Sequence, residues 1–202
     1  LMKKILAALV LSLFLTTPSQ ADDIQDFEIE GLSVGESLLK YYSKVEIKNK
    51  SSKDIATFYK DKFIAIWFDS FSLKEYDQLA VTYKVKDNEH KIHEIKGTKD
   101  FPGNVKGCIK QRNQIIEEIS SLFKNSEKLD AGERDYGADP TGESKTYSVY
   151  FYPKDGGYVE VSCYDTTDRL YKEHGWKGGL VVNIGTEEFS TFLTEEYYKH
   201  LK

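Results

Sequence analysis

Tyr147-Ser148-Val149-Tyr150-Phe151-Tyr152-Pro153-Lys154-Asp155-Gly156-Gly157-Tyr158-Val159-Glu160-Val161-Ser162-Cys163-Tyr164 is the stretch that decides the fold. Two runs of aromatic and β-branched residues flank a turn whose Asp-Gly-Gly supplies the positive φ angles that a hairpin needs. Side chains alternate between the two faces of an extended strand. Val149 and Phe151 therefore fall on one face with Val159, Val161 and Cys163, and Tyr150, Tyr152, Tyr158 and Tyr164 fall on the other. Outward tyrosines combine a large contact area with a polar tip, so these four form a candidate recognition face. Cross-strand pairing that only stabilises the hairpin explains them as well.

The inward Cys163 needs a partner, and the one other cysteine lies upstream. From Val105, the residues Cys108, Ile109, Ile115, Ile116, Ile119, Leu122 and Phe123 recur at helical steps, so a long helix over roughly 102–124 carries Cys108 on its apolar face. An even cysteine count reads first as one disulfide, Cys108–Cys163, pinning helix to sheet; two buried free thiols are the alternative.

Elsewhere, Ser33-Val34-Gly35-Glu36 has the spacing of a capping box, which predicts a helix from Val34 to about Tyr42, and Ser43-Lys44-Val45-Glu46 repeats it. Residues 56–59 and 63–68 read as a hairpin turned at Tyr59-Lys60-Asp61-Lys62. Leu79, Val81, Tyr83 and Val85 alternate in a strand, and another covers 90–96 and ends at Gly97. Residues 125–144, rich in Gly and charge and without apolar periodicity, are expected to be a mobile loop. Leu180, Val182 and Ile184 mark a last strand, and Thr186 caps a C-terminal helix that buries Phe189, Phe192 and Leu193. The expected fold is α+β: one domain over 22–202, an antiparallel sheet packed on one face by the long central helix and the C-terminal helix.

Lys3 and Lys4, the apolar run 5–15 and Ser19-Gln20-Ala21 have the three-part pattern of a signal peptide over residues 1–21. The run is too short to cross a hydrocarbon core of about 30 Å, and no cysteine follows it to mark a lipoprotein. Its removal takes two lysines and moves the net charge of −5 to about −7. So acidic a chain has no basic stripe for nucleic acid, and it is not drawn to anionic lipid. Periplasmic or secreted localisation follows, with no transmembrane segment in the mature chain.

No G-x-S-x-G, Walker-type, G-x-G-x-x-G or H-E-x-x-H pattern occurs. On a strand, His90 and His93 point to opposite faces, which argues against a metal pair. Cys108 near a helix start, with His174 as base, is the arrangement a thiol enzyme would use, but its apolar neighbours argue for an inert thiol. The acidic stretch Asp130–Asp139 has oxygen donors without the spacing of a calcium loop. No cofactor is expected.

Three segments, Ile29 to Leu39, His93 to Gln114 and Gly175 to Leu193, together resemble a group of uncharacterised exported proteins of marine alphaproteobacteria. Gly31-Leu32-Ser33 is also similar to the helix entry of small α+β envelope modules of the outer-membrane assembly lipoprotein and β-lactamase-inhibitor type. Neither resemblance brings functional residues. The expected function is that of an exported, non-enzymatic accessory protein binding a protein or small ligand in the envelope; the alternative is a small exported hydrolase or thiol-dependent enzyme.

Overall fold

The computed structural model describes residues 24–52, 56–69, 73–154 and 156–200, so the signal-peptide reading over 1–21 lies outside it. Eight strands form one antiparallel sheet: β1 (Thr57–Tyr59), β2 (Phe63–Asp69), β3 (Gln78–Lys84), β4 (Ile92–Asp100), β5 (Glu127–Asp135), β6 (Lys145–Tyr152), β7 (Tyr158–Asp165) and β8 (Gly179–Gly185). The helices are α1 (Lys44–Lys50), α2 (Val105–Leu122), α3 (Asp168–His174) and α4 (Glu187–Phe192). Across the sheet the order is β1-β2-β3-β4-β8-β7-β6-β5. Two meanders, β1 to β4 and β5 to β7, are thus joined only when β8 slots between β4 and β7, and every residue of β8 is buried.

The quoted stretch forms the β6–β7 hairpin, with Val149 opposite Val161 and Tyr150 opposite Glu160. Val149, Phe151, Val159, Val161, Leu180, Val182 and Ile184 pack with Cys108, Ile116 and Ile119 of α2 in one core. Cys108 and Cys163 are joined by a disulfide with Cα atoms 6.0 Å apart, both fully buried. The Ser43 capping box is present at α1, and Lys60 and Asp61, both at positive φ, make the β1–β2 turn.

Four expectations change. No helix runs from Val34 to Tyr42: Gly35 sits at φ 86°, and its N–H donates to the Ile92 carbonyl. The Ile92 N–H returns to the Glu36 carbonyl, so this segment lies along β4 and only Leu38–Lys40 turns helically. Its Val34 and Leu38, with Ile29 and Leu32 just before it, join the main core that includes α2. Gly97 does not end β4, which continues to Asp100; the Tyr76 ring lies against Gly97 where any side chain would collide. Residues 125–144 are not all loop, because β5 pairs along most of its length with β6. β5 is a charged edge strand carrying a bulge between Asp130 and Gly132, two devices that discourage further pairing.

Lastly, the C-terminal helix does not share α2's face. Phe189 and Phe192 of α4 pack on Phe63, with Tyr59 alongside, in a separate cluster. Phe63 alternates with Ile64 of the main core and so faces the other way.

Candidate functional site

The face of the sheet opposite α2 is polar at its centre. One row across β3, β4, β8, β7 and β6 reads Ala80, Lys96, Asn183, Glu160 and Tyr150, and the row beside it reads Thr82, Glu94, Gly185 and Tyr158. Buried polar groups are costly unless they are hydrogen-bonded, and here most of them bond to one another, Asn183 Oδ1 being left without a partner among the described residues. The Glu94 carboxylate accepts from Thr82 Oγ1 (2.6 Å), Asn183 Nδ2 (3.0 Å) and Tyr158 OH (3.1 Å). Tyr158 reaches Glu94 by crossing β8 at Gly185, where any side chain would strike its ring. Burial, then the Glu94 charge, pushes the Tyr158 phenol well above its ordinary value.

Glu160 lies at the side of this network. Ser162 Oγ is 2.6 Å from its Oε1 and 2.7 Å from Ser148 Oγ. One hydroxyl hydrogen cannot serve both, so Ser162 donating to the carboxylate leaves Ser148 to donate to Ser162. Burial pushes the Glu160 carboxyl upward, while Ser162 and the Lys96 charge pull it back.

Next to the network the face opens into a cleft of about 280 Å³. Its floor is the row Gln78, Thr98 and Val181 with the row Asp100, Gly179 and Tyr164, and it is low because β8 contributes only glycine and valine there. Trp67 of β2 closes one end. Trp176, Tyr136 and Tyr164 stand at the other: Tyr136 meets the Tyr164 ring edge-on at 5.4 Å and the Trp176 ring at 6.1 Å. Lys177 pairs with Asp100 at 2.5 Å, whereas Lys96 on the floor has no hydrogen-bond or salt-bridge partner among the described residues.

The aromatic end is set by a clasp between the β5–β6 connection and α3. Asp139 is buried and accepts from the backbone N–H and hydroxyl of both Thr141 and Ser144, and from Arg169 of α3 at 2.5 Å. The Ser144 and Thr141 hydroxyls hold its carboxyl well below the usual range. α3, capped by Thr167, was not expected from the sequence; it ends at Gly175, and Trp176 follows directly.

The four tyrosines share this face, as their alternation requires, but do not make one outward patch. Tyr158 is a correction: it is 8% exposed and turned into the Glu94 network. Tyr164 is a cleft wall. Tyr150 and Tyr152 stack at 6.3 Å away from the cleft, with Tyr152 38% exposed. Cys108, bridged, holds no thiol for catalysis. His93 is buried against Phe63 and Thr186, and among the described residues no group of three His, Cys, Asp or Glu is placed to hold a metal. No helix among them is long and apolar enough to cross a membrane.

Sequence reasoning missed Trp67, Lys96, Asp100, Trp176 and the Glu94–Asn183 pair. The signal was present in β4, where Glu94, Lys96, Thr98 and Asp100 alternate, and in Asn183, a lone polar residue between Val182 and Ile184. No protein-family model, curated protein or solved structure matches this chain.

Proposed function

We propose that the protein is an exported, non-enzymatic binding protein that takes a small ligand into the cleft on the polar face of its sheet. The observation that carries this reading is the placement of Trp67 and Trp176: the sequence has two tryptophans, and both line this cleft above a floor of mixed polar groups. Ligand sites combine apolar and aromatic walls with a few placed polar groups in this way. The signal-peptide pattern and the Cys108–Cys163 bridge support a periplasmic or secreted setting.

Native mass spectrometry of the protein after exposure to a cell-derived small-molecule extract tests the binding reading. One retained species is expected, and a Trp176→Ala variant should lose it; equal retention by the variant, or no retained species, would overturn the assignment. Fusing residues 1–30 to a phosphatase that is active only outside the cytoplasm tests export, which an inactive fusion would refute.

The Tyr150–Tyr152 stack supports a second reading, a protein-docking patch, because Tyr152 is exposed beside its partner. Replacing both by alanine should abolish crosslinking to an envelope protein, and unchanged crosslinking would exclude it.

A further inference from the structure

The chemistry of the cleft points to a ligand class, a step that rests on the binding reading above. We infer that the cleft takes a neutral saccharide, its rings stacked on Trp67 or Trp176 and its hydroxyls set on the floor.

Charge excludes the ionic alternatives first. Lys177 is paired with Asp100, and the charge left over in the lining, Lys96, stands in one row with Glu160 and acts on its carboxyl, so no unopposed charge faces the cleft. An anion would meet the electron-rich faces of the aromatic walls and the two glutamates behind Lys96. A cation, which aromatic walls alone would favour, would meet the Lys96 ammonium on the floor.

The hydrogen-bonding inventory then selects among neutral ligands. Gln78 and Thr98 each donate and accept, Lys96 only donates and Asp100 accepts. A molecule covered in hydroxyls can answer all four, because each hydroxyl does both. An apolar ligand would cover Gln78, Thr98 and Lys96 and take their water away without offering them a partner, which disfavours it. The apolar C–H face of a sugar ring is the complement of an indole face, and aromatic surface stands at both ends of the floor. At about 280 Å³ the space lies at the lower edge of the usual ligand-site range of roughly 300–1,000 Å³, so the saccharide is a short one.

Because both tryptophans line the cleft, intrinsic fluorescence reports occupancy directly. The full-length mature protein is titrated with maltose, cellobiose, laminaribiose and diacetylchitobiose, and in parallel with succinate, tetramethylammonium and triglycine; a printed array of neutral and uronic-acid oligosaccharides widens the search. A saturable change with at least one neutral saccharide is expected. Trp176→Ala should weaken it roughly tenfold, the effect of one lost aromatic stack. Trp176 is 41% exposed, so an unchanged circular dichroism spectrum is expected to accompany that loss. A response confined to succinate, tetramethylammonium or triglycine would overturn the saccharide and leave the binding reading standing. Silence from every probe and from the array would overturn both.

Discussion

On one face of the sheet Ile95, Val149, Phe151, Val159, Val161, Val182 and Ile184 pack in the core with α2; on the other, neighbouring residues of β4, β7 and β8, Glu94, Lys96, Glu160 and Asn183, build a polar network and a cleft. The first face is non-directional: burial of apolar area holds it, and a side chain of similar volume would serve. The second is directional, since Glu94 alone holds three donors from three strands. Mutations on the first face should therefore change stability in proportion to size. Those on the second should depend on which donor or acceptor is lost.

The largest effect is expected on the apolar face, at the covalent tie. The Cys108–Cys163 bridge spans 55 residues, for which the chain-entropy model gives about 4 kcal/mol. Changing both residues to alanine should lower the unfolding free energy by about that amount in urea titrations, with the same native circular dichroism. Both sulfurs are buried, so reductant in native buffer should leave the intact mass unchanged, and a two-hydrogen gain should appear only with denaturant. Alkylation of two thiols without reductant would refute the bridge.

Glu94 breaks the comparison from the other side. Glu94→Gln keeps the volume but puts an NH2 where Thr82 or Tyr158 and Asn183 donate, leaving donor against donor. A loss of about 1–3 kcal/mol is expected, more than an isosteric change on an apolar face would cause. A smaller loss is expected for Tyr158→Phe, about 1 kcal/mol, since the hydroxyl's donation to Glu94 and its acceptance from Asn183 go, while Asn183 Nδ2 keeps its bond to Glu94 and the ring remains over Gly185. Tyr152→Ala, on the exposed pair, should stay within about 0.5 kcal/mol. Equal losses at Tyr158 and Tyr152 would mean that the four tyrosines act alike after all.

The two faces also differ in how far they could be read from the sequence. Period-two hydrophobicity carried the β6–β7 hairpin and the inward Cys163, and a helical stripe carried Cys108, so the apolar face and its bridge were legible. β5 was missed because its residues are nearly all exposed on both sides, which leaves no alternation to see. The Ser33 box misled because Gly35 takes a positive φ and spends its N–H on Ile92, a partner 57 residues away that no local pattern contains. The cleft draws on β2, β3, β4, β7, β8, the residue after β5 and the segment after α3. Its geometry depends on strand order, and β8 entering between β4 and β7 is a non-local outcome.

The smallest effect is expected in the dependence of stability on pH, where groups on the polar side oppose one another. His93 is lowered from 6.5 by burial, so its contribution is present above that pH and is lost as pH falls below it. Glu160 is raised from 4.5 by burial, so its contribution is present below 4.5 and is lost as pH climbs through the higher folded value. The two trends run in opposite directions between 4.5 and 6.5, so each offsets part of the other in the urea midpoint. Below 3.8 the lowered Asp139 adds to the loss: protonation removes the charge that the Ser144, Thr141 and Arg169 donors hold, and stability should fall with pH there. Glu160→Gln separates the terms, because removing a carboxyl that is costly to ionise should stabilise the protein increasingly as pH rises from 4.5 to 7. An offset from wild type that is constant over that range would show that Glu160 feels no burial, and would place the polar face in open solvent instead of beside a partly enclosed cleft.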